Sequence, residues 1–249
     1  MKKLHVVLAA LTLAAAVMAT PALAAIEVSG SAYLGVYDKY LWRGYDLSNS
    51  QPVAQGGVNL STNGFTLSYW SNVQLSNGCV DGEDCALQSD EVTETDITLD
   101  YTHDFGPVKM SVGDIYYNFN VPGNTHELYL GITGNVLLSP TVKAYYDWDL
   151  ADDLDLDGFY YTVGVSHSFA PMEKLALAVG ALAGYNDESP FVGDYTDWSN
   201  YELSASATYA ITDQISITPS FVYSSPISDD AKEAIDSEMV SGLTVSLSF

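Results

Sequence analysis

The chain has 249 residues, with 8 Lys and Arg against 32 Asp and Glu, and its formal net charge at pH 7 is −24. This charge excludes nucleic acid as a partner, because binding to phosphates requires a basic surface. The 2 cysteines and 4 histidines include no CxxC motif and no second ligand pair of the kind a zinc site needs.

The N-terminal segment has the features of a secretory signal peptide. Lys2 and Lys3 precede an apolar run, and small residues follow at Ala22 to Ala24. The run is shorter than the roughly 18 to 20 residues of a membrane-spanning helix. We therefore expect a signal peptide over 1–24 and one all-β domain over 25–249. No later segment is apolar enough for a spanning helix, which excludes a helical membrane protein.

Apolar residues recur at every second position over most of the remaining chain. In the segment 203–209, Leu203, Ala205, Ala207 and Tyr209 alternate with serine and threonine. Side chains at i and i+2 share one face of a strand, so each segment has an apolar and a compact polar face. A soluble sandwich would place Lys and Glu on the second face, whereas a membrane barrel turns small polar residues towards its lumen. The pattern favours a transmembrane antiparallel up-and-down β-barrel.

About twelve strands are predicted, an even number as in single-chain bacterial barrels. Short turns at 61–64, 105–108, 133–139, 170–173 and 211–213 alternate with connections that include two long stretches, 75–94 and 225–238. This alternation places both termini at the short-turn end, which we expect to be periplasmic. The predicted strands are 28–40, 52–60, 65–74, 95–105, 108–117, 125–133, 140–149, 158–169, 174–186, 198–210, 214–224 and 239–249.

The final segment, GLTVSLSF, alternates up to Phe249. We expect it to pair with the first strand, because each unsatisfied backbone group left in lipid would cost several kcal/mol. A closing phenylalanine also resembles the C-terminal signature that the barrel-assembly machinery reads in bacterial outer-membrane proteins. The alternative is an ordinary apolar strand. The prediction is a protein of the bacterial outer membrane, with the lipid bilayer and the assembly machinery as partners.

Acidic residues concentrate in the long connections, where two further sites are predicted. Cys79 and Cys85 are expected to form a disulfide that staples one loop, because a secreted chain reaches an oxidising compartment. The segment DLDLDG resembles the start of a calcium loop, but Gly164 stands where a bidentate acid is needed. One alternative is a solvated acidic loop. The other is a weak divalent site that holds Ca²⁺ loosely and bridges the loops to lipopolysaccharide. Its residues would be Asp149, Asp152, Asp153, Asp155 and Asp157.

Charged residues are also predicted on the lumen-facing side of the strands. Charges of both signs on this face either fill the lumen with paired networks or line an open path through it. If a path is open, the excess of carboxylates would favour the passage of cations. Arg43, the single arginine, is expected to fix the first loop through a salt bridge, with substrate clamping as the alternative. The charged residues assigned to the lumen are Lys39, Asp96, Asp100, Asp104, Lys109, Glu127, Lys143 and Glu202.

Three segments carry a family resemblance. Residues 40–44 (YLWRG), 51–57 (QPVAQGG) and 69–73 (YWSNV) resemble the TorF family of proteobacterial outer-membrane porins. The resemblance implies a small barrel that acts as a porin. The long acidic second loop of this chain departs from the family pattern.

Catalysis is not expected. His126, next to Glu127, approaches the outer side of the barrel, but no nucleophile motif accompanies it. We predict a narrow passive diffusion channel for small solutes that prefers cations and needs no cofactor. The alternative is a non-conducting structural or surface-interaction barrel whose acidic loops bind divalent cations.

Overall fold

The computed structural model describes residues 27–77, 88–120, 123–149 and 158–249. The predicted signal peptide, the disulfide between Cys79 and Cys85, and Asp152, Asp153, Asp155 and Asp157 lie outside these residues. Within the described part of the chain, no helix is long and apolar enough to cross a membrane.

Twelve strands pair antiparallel into one closed barrel, in the order β1-β14-β13-β12-β11-β10-β9-β8-β7-β6-β5-β4 and back to β1. The predicted all-β barrel is thus confirmed. The elements are β1 (Ser29–Tyr37), β2 (Leu41–Trp42), β3 (Tyr45–Asp46), β4 (Val53–Thr62), β5 (Phe65–Gln74), β6 (Glu91–Asp104), β7 (Val108–Phe119), β8 (Thr125–Gly134), β9 (Thr141–Asp147), β10 (Phe159–Met172), β11 (Leu175–Asp187), β12 (Thr196–Ala210), β13 (Ile215–Pro226), the helix α1 (Asp229–Ala234) and β14 (Glu238–Ser248).

The barrel closes where the first strand meets the last. β1 pairs with β14 from Ser31 opposite Ser248 to Tyr37 opposite Gly242. Gly30 and Phe249 also exchange two backbone hydrogen bonds, with N to O distances of 2.7 and 2.9 Å. Each of the twelve strands pairs with a neighbouring strand on both sides, as a sheet surrounded by hydrocarbon requires.

The two faces of the barrel differ in polarity. Val245 of β14 lies opposite Leu34 of β1 and Ile217 of β13. Val245 and Leu34 are exposed on an apolar outer surface, and Ile217 is half-buried beside them. The inner face carries hydroxyl pairs between neighbouring strands, such as Tyr37 Oη to Thr244 Oγ1 at 2.8 Å. An apolar exterior and a polar interior are the arrangement of a membrane-spanning barrel.

The two ends of the barrel differ in the length of their connections. The end that holds residues 29 and 248, called the terminal end below, has the short connections 63–64, 105–107, 135–140, 173–174 and 211–214. The opposite end, called the loop end, has the connections 38–52, 75–90, 120–124, 148–158, 188–195 and 227–237. The predicted alternation of short turns and longer connections is therefore present.

An arginine on the outer face should test which surface contacts lipid. Leu243 is 47% exposed in the middle of β14, so Leu243→Arg should lower the free energy of unfolding in lipid vesicles by about 2 to 4 kcal/mol. The matched control is Val136→Arg in the exposed turn 135–140, which should lower it by less than about 1 kcal/mol. Equal losses in urea titrations would contradict the assignment of the outer face.

Candidate functional site: a hairpin inside the barrel

The connection 38–52 forms a small hairpin at the loop end. Leu41 lies opposite Asp46, and Trp42 lies opposite Tyr45. Arg43 and Gly44, the two turn residues, have φ angles of 49° and 92°, as a two-residue type I′ turn requires. A side chain at Gly44 would overlap that of Ile235, which follows α1. The hairpin tip therefore packs against the connection 227–237.

Hydrogen bonds hold the base of the hairpin. The Asp46 carboxylate accepts bonds from the backbone N of Ser48 at 3.0 Å and of Ser50 at 2.6 Å. Burial raises the pKa of Asp46, but these bonds and those from the two serine hydroxyls outweigh burial and leave its pKa below the ordinary value. Burial also raises the pKa of the Tyr45 hydroxyl to about 12. The loop thus keeps a fixed shape with Asp46 ionised at neutral pH.

The hairpin is joined to the barrel wall by a buried ion pair. Arg43 Nη2 donates to both carboxylate oxygens of Glu127 on β8, at 2.8 and 2.7 Å. The two side chains are 7% and 1% exposed. The Tyr117 hydroxyl donates a further bond to Glu127 at 3.0 Å. Removing one partner of such a pair leaves an uncompensated buried charge, which is costly.

Aromatic rings enclose the Arg43 guanidinium. Its central carbon lies 4.4 Å from the ring centre of Trp42, 4.4 Å from that of Tyr160 and 4.8 Å from that of Tyr145. Such cation–π contacts add to the ion pair where water is excluded. Nη1 is buried without a hydrogen-bond partner among the described residues.

The lumen near the loop end is filled by fully buried polar side chains. The Tyr160 hydroxyl donates to Asn200 Oδ1 at 2.9 Å, and Asn200 Nδ2 donates to Ser224 Oγ at 3.0 Å. On the opposite wall, Gln74 Nε2 donates to the backbone O of Ser48 at 3.1 Å. The first two bonds join β10, β12 and β13, and the third joins β5 to the connection that carries the hairpin.

Below the hairpin lies a cavity of about 240 Å³. Glu202, one of the predicted lumen residues, lines this cavity and accepts a bond from Asn200 Nδ2 at 3.1 Å. The other lining residues are Trp42, Arg43, Ile115, Tyr117, Tyr145, Tyr160, Thr162 and Leu182.

Three other predicted lumen residues lie on β6 and β9. Asp96 and Asp100 are on the inner face of β6, and Lys143 is on β9. Asp96 Oδ1 is buried without a hydrogen-bond partner in the described part of the chain. Asp100 accepts a bond from the Tyr129 hydroxyl at 2.5 Å. Lys143 Nζ lies 5.1 Å from the ring centre of the same tyrosine.

The remaining predicted charges lie at the two ends of the barrel. Lys39 Nζ, beside the hairpin base, is 2.5 Å from Glu238 Oε2 and 3.8 Å from Asp46 Oδ2. Asp104 and Lys109 pair across the turn 105–107, with charged atoms 4.0 Å apart and both side chains half exposed. The structure thus separates these residues from the buried Arg43–Glu127 pair.

Three tyrosines of this site were not assigned to the lumen from the sequence. Tyr117, Tyr145 and Tyr160 surround the Arg43–Glu127 pair. The alternation contains a signal for Tyr145, because it lies two residues after Lys143 and so shares the inner face of β9. The residues predicted to line the lumen are all charged, so neutral residues of the same parity are absent from that prediction.

The predicted divalent site lies only partly within the described residues, and His126 lies wholly within them. In those ranges, no cluster of three or more His, Cys, Asp or Glu is arranged to hold a metal. Of the predicted divalent site, Asp149 is described, and its backbone N donates to Asp147 at 3.1 Å. His126 Nδ1 lies 2.9 Å from Asp114 Oδ2. The centre of the His126 ring lies 4.9 Å from that of Trp148.

Comparison with known proteins identifies the fold. No family model matches the chain, and no curated protein matches it. The KdgM porin structure has a TM-score of 0.54 at 12% identity, covering 89% of this chain and 99% of that one. The NanC porin has a TM-score of 0.55 at 12% identity, covering 88% and 98%.

A third solved structure extends the comparison. The COG4313 outer membrane channel from Pseudomonas putida F1 has a TM-score of 0.53 at 14% identity, covering 92% of this chain and 97% of that one. At these identities the similarity shows the fold alone. The predicted outer-membrane barrel is therefore confirmed at the level of the fold, which this chain shares with porins and channels.

A double-mutant cycle should measure what the buried pair contributes. Arg43→Met should lower the free energy of unfolding by about 3 to 5 kcal/mol, because Glu127 stays buried without its partner. The double variant Arg43→Met with Glu127→Met should recover most of this loss, because both charges are then absent. The measurement is urea unfolding in lipid vesicles. A double variant as unstable as the single one would show that Arg43 stabilises the barrel through its ring contacts instead.

Proposed function

We propose that the protein is a bacterial outer-membrane channel that passes small solutes by passive diffusion and is narrowed by the hairpin 41–46. The observation that carries the proposal is the Arg43–Glu127 pair, which holds this hairpin across a closed barrel with a polar interior. Eight-stranded barrels are filled by side chains and barrels of sixteen or more strands hold wide channels. A barrel of twelve strands therefore has room for a narrow path beside an inserted loop.

Charge balance in the lumen supports a preference for cations. Arg43 is paired with Glu127, and Lys39 is paired with Glu238. By contrast, Asp100 and Glu202 bond to neutral donors, the Tyr129 hydroxyl and the Asn200 amide. Unneutralised carboxylates along a path attract cations and repel anions.

The proposed orientation places the terminal end in the periplasm and the loop end outside the cell. The barrel-assembly machinery would then recognise β14, which ends next to Phe249. The acidic loops would face lipopolysaccharide, and divalent cations would bridge the two negative surfaces. The resemblance of residues 40–44, 51–57 and 69–73 to TorF-family porins supports the same assignment.

A second candidate function is a non-conducting structural or surface-interaction barrel. The observation that favours it is the packing at the loop end, where Asn72, Gln74, Asn186 and Asn200 are fully buried. If this network closes the lumen, the acidic loops would be the working part of the molecule.

Reversal potentials should test the cation preference. In planar bilayers with a potassium chloride gradient, we expect a wild-type reversal potential that favours potassium. The double variant Asp100→Asn with Glu202→Gln should move it towards zero, because two carboxylates are lost from the path. The control Asp213→Asn, in the exposed turn 211–214, should leave it unchanged. A wild-type potential that favours chloride would overturn the preference.

Replacing the hairpin should test the constriction. We expect a variant with residues 41–46 exchanged for six Gly and Ser residues to show larger single-channel conductance, because a flexible segment no longer holds the rings and Arg43 across the lumen. Exchanging the six residues of the turn 135–140 at the terminal end, most of which are exposed, in the same way provides a length-matched control. Equal conductance in wild type and hairpin variant would remove the hairpin as the constriction. If neither the wild type nor the hairpin variant shows single-channel conductance, the non-conducting barrel would be favoured.

A further inference from the structure

A second, more enclosed cavity of about 160 Å³ lies at the loop end, on the other side of the hairpin from the cavity below it. Aromatic rings make up most of its wall, and one side chain in the wall carries a charge. Leu47, which borders the cavity, is 38% exposed, so the cavity adjoins solvent. Its lining residues are Trp42, Tyr45, Leu47, Glu94, Tyr117, Phe119 and Phe191.

The rings come from three separate parts of the chain and meet at Phe191 in the connection 188–195. The ring centre of Phe191 lies 5.4 Å from that of Trp42, 5.5 Å from that of Tyr117 and 6.2 Å from that of Phe119. The Tyr45 hydroxyl donates to the backbone O of Val192 at 2.5 Å. This bond ties the hairpin to the connection that carries Phe191, so the wall is held in place before any ligand arrives.

The acidic side chain of the cavity is Glu94, which has no basic partner in the part of the chain that the structure describes. Glu94 on β6 is 5% exposed and interacts with Tyr40 and Asp96. Among the described residues, no lysine or arginine forms an ion pair with Glu94. Arg43, which lies over the Trp42 ring, is neutralised by Glu127 at 2.7 Å. The cavity therefore combines π faces with an unneutralised acidic group.

We propose that this cavity binds the alkylated ammonium group of a small organic cation. Such a cation is attracted by aromatic faces and keeps an apolar surface that fits between rings. An inorganic cation such as Ca²⁺ would need several oxygen ligands, and the wall offers one carboxylate. The volume is below the roughly 300 to 1,000 Å³ of pockets for drug-sized ligands, so it suits a single headgroup.

The Tyr117, Phe119 and Phe191 rings are the contacts we assign to the cation, because Arg43 already lies over Trp42. Glu94 balances the charge of the ligand. This binding goes beyond the proposed channel and does not depend on it, because an occupied cavity needs no open path through the lumen.

The test compares choline with 3,3-dimethylbutan-1-ol, a neutral molecule of the same shape. Binding is measured by isothermal titration calorimetry on the detergent-solubilised full chain. Sodium chloride at about 0.15 M screens the acidic loops and so suppresses loose association of choline with them. We expect choline to bind at least about tenfold more tightly than the alcohol, which corresponds to a cation–π contribution of more than 1 kcal/mol in a desolvated site.

Three variants locate the site. Phe191→Leu and Glu94→Gln should each weaken choline binding by about threefold to tenfold. Phe65→Leu, on the exposed outer face near the terminal end, should leave it unchanged. The heat-dependent shift in electrophoretic mobility of folded barrels checks that each variant is folded.

The proposal is overturned if choline does not bind or if the alcohol binds as tightly, because the cavity would then be an apolar pocket without cation recognition. Choline binding that persists in both folded site variants would place the ligand elsewhere and overturn the assignment equally. Conductance plays no part in these measurements, so a silent channel would leave the binding result intact.

Discussion

Hydrocarbon offers no hydrogen bonds to a peptide group, and this constraint determines the rest of the molecule. Every strand must have two partners, so β1 must meet β14, and the Gly30–Phe249 bonds complete that seam. Once the sheet is closed, each side chain lies in one of two environments. Outward positions take Leu, Val and Phe, and inward positions take small hydroxyls, amides and charges. A barrel of twelve strands encloses more space than its small inward side chains fill, and the hairpin 41–46 occupies part of the remainder.

The hairpin is held by a small number of strong contacts. A type I′ turn points Arg43 at the wall, and Glu127 receives it in a bidentate geometry at 2.7 and 2.8 Å. Burying two charges is costly, and the cost is offset where the pair has good geometry and further hydrogen bonds. Here Tyr117 supplies one such bond, and the rings of Trp42, Tyr145 and Tyr160 exclude water from the guanidinium. Lysine could not replace Arg43 at this position, because it lacks the flat guanidinium face that these rings contact.

Much of the barrel can be predicted from the sequence, because period-two alternation is a local property. The segment 203–209 and the final GLTVSLSF each show their two faces within a few residues. The alternation also places Glu127, Lys143 and Glu202 on the inner face. It does not identify partners, because Arg43 and Glu127 are 84 positions apart and no pattern in either segment refers to the other. The prediction that the first strand extends to Tyr40 is wrong because alternation does not show which partners a segment meets. β1 ends at Tyr37, where the chain turns inward so that Tyr40 packs on Trp70.

The position of the hairpin relates the two proposals to each other. Trp42 and Tyr117 line both the outer aromatic cavity and the cavity beneath the hairpin, with ring centres 6.2 Å apart. A solute that enters from the loop end along this route therefore meets Phe191 and Glu94 first, then the Trp42–Tyr117 contact, and then Arg43 and Glu202. Along this route the acidic Glu94 comes first, the basic Arg43, neutralised by Glu127, comes second, and the acidic Glu202 comes last. If both proposals hold, an organic cation would be attracted at both cavities and would meet no uncompensated positive charge of the described residues between them, whereas an anion would find Arg43 already paired with Glu127. Passage would then be limited by the movement of two rings. Trp42 can move only as far as the Arg43–Glu127 pair allows the hairpin to shift, and Tyr117, on β7, is held by its bond to Glu127.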